Sequence, residues 1–102
     1  MAKSDNVLLD LNNPVFQDDL FNIEKEDTLR ILDTLKKIKS LTWTAMYNDK
    51  GLRWELIQSR TRPSGQRLYT IRISQKFRAV VYREEQFMRF LSLHPDHDSA
   101  YK

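Results

Sequence analysis

At 102 residues, 40% hydrophobic and 11% aromatic, the chain has material for one folded core but not two, and wholesale disorder is excluded. The net charge is +3 and unevenly spread: acidic residues predominate in residues 1–50 and basic ones in residues 51–102, so the second half suits a polyanion such as nucleic acid. The absence of cysteine excludes disulfides, thiol chemistry and thiolate zinc sites; with no apolar run near the ~20 residues of a membrane span and no signal-peptide core, a cytoplasmic chain without membrane association is expected.

In chain order, Val7-Leu8-Leu9-Asp10-Leu11 reads as a first strand, stopped by Asn12-Asn13-Pro14. Pro14 is placed to open a short helix with Phe16, Leu20 and Phe21 on one side. Over residues 24–41, Ile31, Leu32, Leu35, Ile38 and Leu41 recur at three- and four-residue steps, which predicts an amphipathic helix. Glu24, Glu26 and Asp27 near its start and Lys36, Lys37 and Lys39 near its end suit the helix dipole. Residues 42–50, with Trp43, Met46 and Tyr47, predict a helical turn closing before Gly51.

After Gly51 the period becomes two, and strands are predicted near 53–58, 67–73, 76–83 and 86–93. The middle pair is joined by Ser74-Gln75-Lys76, a length suited to a tight hairpin. Pairing Ile73 with Phe77 sets Ile71 against Ala79 and Tyr69 against Val81 on an apolar face. The same register sets Arg72 against Arg78 on the other face, beside Thr70, Val80 and Tyr82. Continuing it with Tyr82 opposite Phe87 puts Ala79 against Phe90, Val81 against Met88, and Arg89 on the arginine face. The fold class expected is α+β: an antiparallel sheet of four to five strands, helices on one face, the other face open.

Opposed arginines cost a sheet from a few tenths to roughly 1 kcal/mol. A carboxylate or phosphate that bridges the two guanidiniums offsets that cost. On this reasoning the fold tolerates Arg78→Ala, which relieves the repulsion.

Three local patterns resemble the RelE/ParE superfamily of bacterial toxin–antitoxin toxins, closest to its RelE/YoeB-like ribonuclease branch. They are the hairpin Tyr69-Thr70-Ile71-Arg72-Ile73 with Phe77-Arg78-Ala79-Val80-Val81-Tyr82, the segment Trp54-Glu55-Leu56 ahead of Arg60-Thr61-Arg62-Pro63-Ser64-Gly65, and the tail from Leu91 through His94, His97 and Tyr101. The resemblance covers residues 25–101 most strongly and implies a single RelE-like domain over residues 1–102. It also implies an endoribonuclease that needs no metal or cofactor. In that chemistry the 2′-hydroxyl of mRNA attacks the adjacent phosphate, and the partners implied are the ribosome that presents the mRNA and a cognate antitoxin. By position in the motifs, Arg78 is implied as transition-state stabiliser and Arg72 as a second phosphate ligand. Glu55 is implied as general base, and His97, His94 and Tyr101 as candidates for the general acid. Arg89 shares the arginine face and is a candidate RNA contact that matches no family position.

A metal site at His94, Asp96, His97 and Asp98 is the rival reading of the tail, disfavoured by Pro95 and by the arginine face. Two other functions remain open: a ParE-like inhibitor of DNA gyrase that cleaves nothing, and a catalytically inactive relative that binds RNA.

Overall fold

The computed structural model describes residues 5–96. The first strand, β1 (Leu8–Asp10), is followed by helices α1 (Pro14–Asn22), α2 (Lys25–Lys39) and α3 (Trp43–Tyr47). Four strands then follow: β2 (Glu55–Thr61), β3 (Arg67–Arg72), β4 (Arg78–Glu84) and β5 (Phe87–His94). They form one five-stranded sheet in the order β1-β5-β4-β3-β2. No helix among the described residues is long and apolar enough to cross a membrane.

Local signals account for most element ends. The Asn13 carboxamide oxygen accepts from the backbone N–H of Val15 at 2.8 Å and Phe16 at 3.4 Å, and Pro14 occupies the first turn of α1. Thr42 caps α3 by accepting from Ala45 N–H at 3.1 Å. In α2, Glu26 and Asp27 lie in the first turn and three lysines in the last, with no side-chain cap at Glu24. Its buried residues are Ile31, Thr34, Leu35 and Ile38, while Leu32 faces solvent. Phe21, expected with Phe16 and Leu20 on one side of α1, is 78% exposed; only Phe16 is buried in α1, its ring 5.4 Å from that of Phe90.

The β3–β4 hairpin has the expected register: Tyr69 opposes Val81, Ile71 opposes Ala79 and Arg72 opposes Arg78. Ile73 N–H donates to the Phe77 carbonyl at 2.8 Å, closing the loop. Ile71, Ala79 and Val81 pack with Phe90, Met88 and Leu93 against Phe16, Ile31, Ile38, Trp43 and Met46, so the helices cover this face.

Three expectations are corrected. First, the sheet is mixed and not wholly antiparallel, because β1 joins the β5 edge in parallel, with Leu8, Leu9 and Asp10 opposite Phe87, Met88 and Arg89. Burial of Leu9 against the core and the Asp10–Arg89 ion pair hold that arrangement.

Second, the β4–β5 register is two residues tighter than expected. Phe87 opposes Glu84, Met88 opposes Arg83, and Phe90 opposes Val81. Glu85 takes a φ of 56°, so the turn closes over Glu85 and Gln86 alone. A two-residue slip leaves every side chain on its original face, so the alternation could not detect it.

Third, the face away from the helices is not simply open. Ile57, Leu68, Val80 and Tyr82 are buried there as a second apolar cluster, with Leu91 against it. The Arg62 guanidinium lies over the Tyr82 ring, 4.6 Å from its centre.

Candidate functional site

Beside the second cluster, three cationic or titratable side chains form one row across adjacent strands. Arg72 of β3 opposes Arg78 of β4, and Arg78 opposes His94 of β5. The next row on the same face runs Glu55, Thr70, Val80 and Ser92. His94 reaches this face because of a bulge. Val81 opposes Phe90 but Val80 opposes Ser92, so Leu91 is an extra residue and the alternation of β5 shifts by one beyond it. Without the bulge His94 would point to the helices.

The end of β5 extends past the short β1, and α1 holds it. Leu93 N–H donates to the Asp19 carboxylate at 2.9 Å. Ser92 Oγ and His94 Nε2 are 2.8 Å apart and hydrogen-bonded. The His94 imidazole has its pKa lowered, chiefly by burial, with the Asp19 carboxylate opposing that shift and the Arg60 guanidinium adding to it. The neutral ring, a proton acceptor, is therefore favoured at neutral pH.

Arg78 is 5% exposed. Its Nη1 donates to the carbonyls of Ser74 at 2.8 Å, Gln75 at 3.1 Å and Phe77 at 3.2 Å. The side chain therefore ties its own hairpin loop, and carbonyl dipoles offset part of the repulsion from Arg72. This reverses the expectation for Arg78→Ala: the substitution strips a buried donor from three carbonyls, and that loss exceeds the relief of a cross-strand repulsion.

Glu55 lies on the same face, but its carboxylate is paired with Arg53 Nε at 3.2 Å. It is two strands from Arg78, roughly 10 Å in sheet spacing, whereas His94 is one strand, roughly 5 Å, away. Arg89 also faces this side, opposite Tyr82, and is bound by two carboxylates, Asp10 and, at 2.7 Å, Glu84. Asp10 has its pKa lowered, first by the Asn12 backbone N–H and also by Arg89, against the opposing effect of burial. Recruiting Arg89 to RNA would require breaking both ion pairs. His97 and Tyr101 lie outside the described residues.

Two contributors were not singled out from the sequence. Arg60, inside the quoted loop pattern, acts on His94, and Ser92 orients it. Ser92 could have been found from its i, i+2 spacing with His94 on a strand. Arg60 could not, because β2 loses its regular register between Leu56 and Thr61.

The chain matches no protein-family model, no curated protein and no solved structure.

Proposed function

We propose that this chain is a toxin of the RelE/ParE superfamily, a RelE-like endoribonuclease that cleaves mRNA on the ribosome without a metal. In this reading it acts in the cytoplasm and a cognate antitoxin silences it. The observation that carries the reading is the row Arg72, Arg78 and His94, which gathers two guanidiniums and an imidazole on one sheet face.

A phosphate seated on that row meets a base and two cations, two of the three kinds of group that transesterification needs. The RNA 2′-oxygen attacks the adjacent phosphorus as the P–O5′ bond breaks, giving a 2′,3′-cyclic phosphate and a 5′-hydroxyl. His94, favoured in its neutral form by burial, takes the 2′-hydroxyl proton. Arg72 and Arg78 stabilise the charge that develops on the phosphorane oxygens. The proton for the departing O5′ is assigned to His97 or Tyr101. Glu55 is the alternative base, and its greater separation from Arg78 favours His94 over it.

A second reading rests on Arg78 itself. An arginine whose Nη1 holds three loop carbonyls serves the hairpin whether or not RNA is present. In this reading the chain only binds, as a ParE-like gyrase inhibitor or an inactive RNA-binding relative.

Induction of the wild-type chain in bacterial cells, followed by mapping of mRNA 5′ ends, separates the two. The nuclease reading predicts growth arrest with new 5′-hydroxyl ends inside reading frames, and their loss in His94→Gln. Growth arrest with intact mRNA and blocked supercoiling would favour the gyrase reading.

A further inference from the structure

The helix-facing side of the sheet carries a second concentration of aromatic and arginine side chains, independent of the row just described. Trp54 stacks on Tyr69 with ring centres 4.4 Å apart and planes 21° from parallel. Tyr47 meets Trp54 edge-on at 5.5 Å, and Trp43 lies behind both. Tyr47, Trp54 and Tyr69 wall a cleft of about 480 Å³ whose remaining lining includes Arg67, Arg83 and Glu85. That volume lies within the ~300–1,000 Å³ typical of small-molecule sites.

The two arginines differ in how they are held. Arg83 is fixed: its guanidinium lies 4.2 Å from the centre of the Trp43 ring, and it donates to the Tyr47 hydroxyl at 2.9 Å and the Glu85 carbonyl at 2.7 Å. None of those partners cancels its charge. Arg67 is exposed and makes no ion pair among the described residues. Glu85 also lines the cleft, and among the described residues its carboxylate makes no ion pair with either arginine. The cleft thus offers flat aromatic surface and cationic donors for an anion.

We propose that this cleft binds a nucleotide, its base against the Trp54 and Tyr47 rings and its phosphate on Arg67 beside Arg83. Stacking on aromatic rings with a cation on the backbone is the mode by which proteins hold unpaired nucleotides. An acidic peptide would engage the arginines but make no use of the flat rings. The nucleotide is either free or one unit of an RNA strand. Arg67 also lines a neighbouring cleft with Arg60, the residue whose charge reaches His94, so a strand has a basic path between the two faces.

Both tryptophans of the chain, Trp43 and Trp54, belong to this cluster, so tryptophan fluorescence, excited selectively over tyrosine, reports on it. The full chain is titrated with AMP, GMP, UMP and CMP, with a trinucleotide of uridine, and with inorganic phosphate. Saturable quenching is expected with nucleotide, and at least about tenfold weaker binding of phosphate alone. Arg67→Gln should weaken nucleotide binding about tenfold, the loss of one charge-assisted hydrogen bond, while Lys36→Gln on exposed α2 surface, a matched charge loss, leaves it unchanged. Tighter binding of the trinucleotide than of UMP assigns the site to a strand, and equal binding assigns it to the free nucleotide. Absence of quenching by any nucleotide, equal binding of phosphate, or indifference to Arg67→Gln overturns the proposal. Arg67 is not part of the Arg72–Arg78–His94 row, so failure of RNA cleavage leaves this result intact, and the converse also holds.

Discussion

The two faces of β4 solve the same problem at different scales. Toward the helices, Ala79 and Val81 join a large core sealed by three helices. Toward the other side, Val80 and Tyr82 join a cluster of four buried residues edged by Arg78 and Arg62. On the first face, burial holds the fold and the charged residues lie at its rim. On the second, apolar packing and cationic side chains share the surface, so a substitution there is expected to touch stability and the candidate site together. The candidate site therefore sits beside a small core and not on a solvated plane.

The largest expected effect is on the helix face. Phe90→Ala removes a fully buried ring packed on Phe16 and should cost about 3–5 kcal/mol, measured by denaturant unfolding. On the opposite face, Leu68→Ala should cost about 2 kcal/mol, the low end for such a truncation, because a small cluster near the surface can collapse into the gap. Equal losses at the two sites would erase the difference in scale between the faces.

Arg78→Ala comes next, at about 1–3 kcal/mol, since three carbonyls lose their common donor. A thermal melt that rises instead would restore the view that repulsion from Arg72 dominates at this position.

Smaller still is the Arg89 pair, for which Arg89→Ala should cost about 1 kcal/mol or less near neutral pH. Asp10 has a lowered pKa in the fold, so its contribution is present above the ordinary carboxylate range and lost as pH falls through the folded value. The difference between wild type and Arg89→Ala should therefore shrink in acid, which parallel unfolding curves across pH would test. His94 follows the same direction for a different reason. Its lowered pKa means that the unfolded chain binds its proton more readily. Stability from this residue is thus full above ~6.5 and falls as pH drops through the lower folded value. His94→Gln should flatten that limb of the stability profile.

The parts legible in the sequence were those set by local pattern. A three-residue loop between two alternating runs determines the β3–β4 register, and Arg72 opposite Arg78 follows from it. The parallel pairing of β1 was not legible, because three residues with no local partner join a strand close to the other end of the chain. Nor was the Leu91 bulge, on which the position of His94 depends; alternation alone sends His94 to the wrong face. The second apolar cluster left a signal that could have been used: Leu68, Val80 and Tyr82 all fall on the arginine face by parity with Arg72 and Arg78. Residue type and motif position made Arg78 a candidate phosphate ligand but could not reveal its bonds to its own loop, which depend on how the hairpin closes.

Single-turnover cleavage of ribosome-bound mRNA by wild type, Arg72→Gln and His94→Gln, each with a melting temperature, tests the central claim most directly. The account predicts cleavage by wild type and a loss of ~10²–10⁴ in rate for His94→Gln, with its fold retained at neutral pH. Arg72→Gln should show a loss approaching ~10² without unfolding. Full activity in His94→Gln, or no cleavage by the folded wild type, would contradict it.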